Sequence, residues 1–174
     1  MSHFPIALLL LASLFLLLRA LSDNKWIVQF ERSTPALLVL GLIGVAGAVV
    51  TGLVLWPQEA VLASPMAKNK LLFTFWSMAA WLGVAAIRLR AGEALWQSSV
   101  RWPLLILVLL AAALLGITGA LGGYLIGAPS DFSALLKMSG WNVYQTFHAP
   151  MWALGVAVLM AVAIMAIGLS TKTR

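Results

Sequence analysis

The sequence predicts an all-α, polytopic membrane helix bundle of five transmembrane helices. Three observations predict it. Hydrophobic residues make up 63% of the 174 residues and charged residues only 9%, where a soluble domain carries roughly 25% charged residues. The mean hydropathy is +1.02, so lipid is the solvent such a surface tolerates. Five apolar runs approach or reach the roughly 20 residues that cross the hydrocarbon layer as a helix. They are Phe4–Ala20, Pro35–Trp56, Leu71–Ile87, Pro103–Gly127 and Phe147–Leu169. Backbone groups in lipid must pair within their own segment, which selects helices. The apolar–polar alternation of a membrane barrel is absent from the runs. The length suits one domain over residues 1–174.

The first run begins without a basic n-region, since Arg19 lies on its far side. No convincing small-residue cleavage site follows it, so it reads as a retained span. The second run stops before Pro57, beyond which polar residues follow. The basic residues divide unevenly between the two sides. Arg19, Lys25, Arg32, Arg88, Arg90, Arg101, Lys172 and Arg174 fall on one side, and Lys68, Lys70 and Lys137 on the other. The positive-inside rule then places the N-terminus outside and the C-terminus in the cytoplasm. The expected location is the bacterial inner (plasma) membrane, with multiple passes. Trp26, Trp56, Trp96, Trp102 and Trp141 fall near span ends, where indoles favour the interface.

Charge and cysteine content exclude several chemistries. The net charge of +6 arises from residues flanking apolar runs, a pattern of topology signals and lipid contacts rather than nucleic-acid binding. The absence of cysteine removes disulfides, iron–sulfur ligation, covalent haem attachment and thiol catalysis. The five acidic residues, Asp23, Glu31, Glu59, Glu93 and Asp131, all fall between the runs. A proton or cation pathway usually carries an intramembrane carboxylate. No HExxH, Walker, GxSxG or paired-carboxylate motif occurs. Hydrolytic and transferase chemistry therefore find no support, and any enzymatic role is at most that of an oxidoreductase subunit.

The remaining chemistry gathers at two histidines. His3 and His148 are the only imidazoles, each two residues before a proline at the start of an apolar run. The predicted topology puts both at the outer interface, at the depth a shared ligand requires. They are the candidate ligands for a metal, above all a haem iron held axially. If the approach to the fifth span is helical, Trp141, Tyr144, Gln145 and His148 share one face. Tyr144 and Gln145 then become candidate cofactor contacts beside the imidazoles. An interfacial anchor of aromatic tips is the plainer reading of the same face.

Small residues mark two other spans. Gly41, Gly44, Gly47, Thr51 and Gly52 recur in the second, and Gly116, Thr118, Gly119, Gly122 and Gly123 in the fourth. Such faces let helix backbones approach closely. A flat cofactor lying against them in the outer leaflet is the sharper expectation. The similar Gly44–Ala48 and Gly116–Ala120 segments, with the two His-x-Pro starts, hint at an internal duplication.

The opening Ser2-His3-Phe4-Pro5-Ile6-Ala7-Leu8-Leu9 resembles the His-Phe-Pro-Ile-Ala start of the bacterial membrane family called domain of unknown function 2231. Gly47-Ala48-Val49-Val50-Thr51-Gly52 and Thr118-Gly119-Ala120-Leu121-Gly122-Gly123 extend the resemblance over roughly the first 127 residues. The resemblance implies a four-span protein in a redox setting, beside periplasmic cytochromes or Rieske-type modules. This chain departs from the pattern in two ways. It carries Asn69 where members often place a histidine near the third span, and it adds a fifth span with His148.

Three roles follow as expectations. The first is an integral membrane subunit of a redox or electron-transfer system, binding b-type haem or quinone near the outer face. Its partners would be membrane lipid and other membrane or periplasmic redox subunits. The second is a cofactor-free accessory subunit of a larger membrane complex, and the third is a metal or small-molecule permease.

Overall fold

The computed structural model describes residues 3–128 and 134–170. Ser2, Asp131, Lys172 and Arg174, which entered the motif and charge readings above, lie outside the described residues. The helices are α1 (His3–Leu21), α2 (Lys25–Glu31), α3 (Thr34–Leu55), α4 (Gln58–Ala63), α5 (Pro65–Ala91), α6 (Arg101–Leu125), α7 (Ala134–Met138) and α8 (Met151–Ser170). A 3-10 segment, Gly92–Gln97, joins α5 to α6. The described residues include no strand.

Local chemistry sets the helix ends. Asn24 caps α2, its side chain accepting from the Trp26 N–H at 3.0 Å. Ser64 caps α5 in the same manner, accepting from the Ala67 N–H, and Pro65 occupies the first turn, where its missing N–H costs nothing. α5 stops at Gly92, whose φ of 53° suits a residue without Cβ.

α1, α3, α5 and α6 form the bundle. α5 and α6 make the most extensive pairing, α1 and α3 the next, and α1–α6 and α3–α5 contacts close the arrangement. Both main pairs are antiparallel. Gly41 meets Leu9 while Gly44 meets Pro5, and Gly83 neighbours Leu107 while Gly122 neighbours Lys70. The two α3 glycines are what brings α1 so near. A Cβ on Gly41 would stand 2.7 Å from Leu9, and one on Gly44 2.9 Å from Pro5. Between the pairs lie Leu9, Leu16, Phe73, Ala80, Trp81, Val84, Leu104 and Val108, all essentially inaccessible. Dispersion in close-packed contacts, not exclusion from water, holds such an interior in lipid.

Four helical stretches are long and apolar enough to cross a membrane: His3–Leu21, Lys25–Leu55, Pro65–Gln97 and Arg101–Leu125. α8 runs parallel to α5 and leans on it through Gly83 and Ile164. Its described apolar stretch, Met151–Met165, is shorter than the other four.

Three sequence expectations change. The third span is longer than Leu71–Ile87 at both ends, so Lys68, Lys70, Arg88 and Arg90 are helical rather than loop residues. Arg88 is tolerated there because Glu31 neutralises it. Glu31 is not a solvated loop acid: it ends α2, is 0% exposed, and accepts from Arg88 Nε at 2.6 Å and from a terminal guanidinium nitrogen at 2.9 Å. Glu93 accepts a third bond from the same guanidinium at 3.2 Å. Finally, Trp96 and Trp141 are buried, not exposed to headgroups. Trp96 receives the Arg19 and Arg88 guanidinium groups against its ring, and Trp141 packs on Phe73 and Trp152.

Candidate functional site

The bundle holds a laterally open cavity of about 320 Å³ toward the end where α1 begins. That volume lies at the lower end of the range for small-molecule sites, roughly 300–1,000 Å³. α1 contributes Pro5 and Ile6, α3 one face that includes Leu42, Val45, Val49 and Leu53, and α6 Leu115 and Thr118. Trp56, Gln58 and Leu62 border it at the α3–α4 turn.

α5 supplies most of the polar groups on the cavity wall. Lys70, Thr74, Ser77, Met78 and Trp81 line the cavity at offsets of four, seven, eight and eleven from Lys70. Those offsets place them on one helix face. At 1.5 Å of rise per residue, the stripe extends about 16 Å along α5. The hydroxyls are occupied as donors: Thr74 donates to the Lys70 carbonyl at 2.7 Å, Thr118 to Leu114 at 2.9 Å and Ser77 to Ala111 at 3.4 Å. Their oxygens retain lone pairs for a ligand. The Trp81 indole is 1% exposed, and its Nε1 has no hydrogen-bond partner among the described residues. Lys70 is half-buried at the α3–α4 end, with Nζ over the Trp56 ring, 5.0 Å from its centroid. Gly122 lies beside that ammonium, where a Cβ would stand in ordinary contact with Nζ at 3.5 Å.

The sequence-predicted residues lie elsewhere. His3 opens α1 and His148 sits in the irregular segment before α8; both are exposed, and neither borders the cavity. α1 packs chiefly on α2, α3 and α6, whereas the bundle neighbour of α8 is α5. The approach to the fifth span is not the continuous helix on which the shared face depended. Residues 139–150 run through turns and coil, and α8 begins at Met151, four residues later than expected. Trp141 is buried, Tyr144 half-buried, and Gln145 and His148 exposed. The Tyr144 ring packs on Tyr124 with centroids 4.8 Å apart, and Gln145 accepts from Asn142 at 3.0 Å.

Asn69 explains the irregular path. It is fully buried, and Nδ2 donates to the carbonyls of Val143 at 2.8 Å and Thr146 at 2.7 Å. A helix through those residues would commit the two carbonyls to its own bonds. Asn69 satisfies them instead and ties the segment to α5.

A haem held by two imidazoles does not fit the cavity. Its lining offers the Met78 thioether and the Lys70 amine but no imidazole. Among the described residues, no group of three or more His, Asp or Glu side chains could hold a metal ion. Sequence reasoning missed Lys70, Trp56 and Trp81. The available signal was the polar face Lys70, Thr74, Ser77 within an apolar run.

No protein-family model matches the chain, and neither does any curated protein or solved structure. The resemblance to domain of unknown function 2231 therefore rests on the quoted motifs.

Proposed function

We propose that this chain is a multi-pass subunit of a redox or electron-transfer system in the bacterial inner membrane, holding a lipid-soluble ligand of the quinone class in the cavity of its bundle. In this reading α8 is a fifth span, the N-terminus lies outside, and the cavity opens toward the outer leaflet. The observation that carries it is the cavity itself: apolar walls, a few oriented polar groups and an aromatic rim at Trp56. Quinone takes precedence over b-type haem because the cavity wall holds no axial imidazole. The protein would position the ligand and set its surroundings, and the quinone would carry the electrons.

The test uses purified protein in vesicles and a decyl-substituted benzoquinone. Trp56 and Trp81 border the cavity, so binding quenches tryptophan fluorescence saturably. Filling the cavity with Thr118→Phe weakens binding, and a linear, non-saturating response identical to protein-free partitioning rejects the proposal.

The cofactor-free accessory role is favoured by one feature. Only 11% of the apolar part of Lys25–Leu55 is buried, against 56% for Arg101–Leu125, and Gly47 faces open space. A neighbouring helix could approach α3 there as α1 does at Gly41.

A further inference from the structure

We infer that the head group selected by this cavity carries negative charge, and that Lys70 is the residue that selects it. The inference rests on the reading of the cavity as a ligand site and deepens it by assigning the head-group chemistry.

Arg88 is met by two carboxylates, Glu31 and Glu93. Arg19, at the end of α1, pairs with Asp23. Lys70 has no such partner among the described residues: no carboxylate pairs with it, and its ammonium rests on the Trp56 ring. A cation partly withdrawn from water without a counter-charge carries part of the burial penalty, and an arriving anion offsets that cost. A neutral head leaves the charge unanswered.

The walls define the rest of the molecule. From Lys70 the stripe continues inward past Thr74, Met78 and Trp81, opposite Val45, Val49 and Leu115. An apolar body up to about 16 Å long fits that stripe. The ligand class is thus an amphiphile with an anionic oxygen head at Lys70 and an apolar ring or chain directed inward. An ionised hydroxyquinone and a fatty-acid carboxylate share this chemistry.

The test reconstitutes the full chain in zwitterionic vesicles and compares two matched pairs of probes. The first is a 2-hydroxy-3-alkyl-1,4-naphthoquinone, ionised at neutral pH, against its uncharged 2-methyl counterpart of nearly equal shape. The second is dodecanoate against dodecanol. Tryptophan quenching for the quinones, and isothermal titration calorimetry for the aliphatic pair, read binding after subtraction of partitioning into protein-free vesicles. The anionic member of a pair should bind about tenfold tighter or more, the scale of one charge-assisted contact. Lys70→Met removes that preference and Lys70→Arg retains it, with helix content checked by circular dichroism in both.

Equal binding within both pairs overturns the inference while leaving the quinone reading intact. So does a charge preference that survives Lys70→Met. Selective binding of dodecanoate with neither quinone bound supports the inference and removes the quinone reading. Failure of all four probes overturns both.

Discussion

Arg88 on α5 and Glu31 at the end of α2 form a two-pronged ion pair with both side chains almost wholly buried, at 2.6 and 2.9 Å. The pair fastens the short helix α2 to the bundle from 57 residues away. Paired charges survive burial because fork geometry satisfies both carboxylate oxygens. Removing one partner strands the other, at a cost of about 3–5 kcal/mol. Arg88→Ala, which strands the Glu31 carboxylate, should therefore lower the thermal midpoint in detergent markedly, while Glu31→Met with Arg88→Met should recover much of the loss. Equal destabilisation by the single and double variants would contradict this account.

Asn69 plays a comparable part for the segment before α8. Its two hydrogen bonds to Val143 and Thr146 are each worth about 0.5–1.5 kcal/mol. Asn69→Leu should loosen that segment more than the bundle. The cysteine-free chain allows a clean measurement: thiol labelling of Gln145→Cys should accelerate several-fold in the Asn69→Leu background. An unchanged rate would mean that other contacts hold the segment.

The α1–α3 contact predicts opposite outcomes for neighbouring glycines. Gly44→Leu pushes against Pro5, a rigid side chain, and should cost about 1–3 kcal/mol as overpacking does. Gly47 faces open space. Gly47→Ala should be neutral or stabilising by up to about 1 kcal/mol, through helix propensity. Thermal denaturation of the two variants side by side checks the contrast.

The proposed orientation is testable by the same thiol chemistry. A membrane-impermeant maleimide applied to intact cells should label His148→Cys and spare Arg90→Cys. The reverse pattern would invert the topology and place the cavity toward the cytoplasm.

Replacing both histidines tests the choice of quinone over haem. His3→Ala with His148→Ala should leave quinone quenching unchanged, because neither side chain borders the cavity. A reduced-minus-oxidised haem band in the parent protein that vanishes in the double variant would restore the imidazoles to the functional site.

The helical class and the approximate limits of the first, second and fourth apolar runs were legible without coordinates. Lipid forces each run to satisfy its own backbone, so hydropathy and length suffice. The glycine pattern of the second span likewise announced close packing, now seen against Leu9 and Pro5. The continuous helix expected before α8 was a local inference defeated by a distant residue. Nothing near Val143 announces that Asn69, 74 residues earlier, takes its carbonyl.

The cavity shows the same division. Hydropathy alone puts Lys70 just outside the third run, because its role depends on what surrounds it: Trp56 beneath it, Gly122 beside it and no acidic side chain paired with it among the described residues. The chain alone determined that helices form and which solvent they need, since those terms are summed residue by residue along a run. Only the tertiary structure decided which charges are answered and where space remains, because pairing and packing depend on side chains far apart in sequence that meet only when the bundle closes.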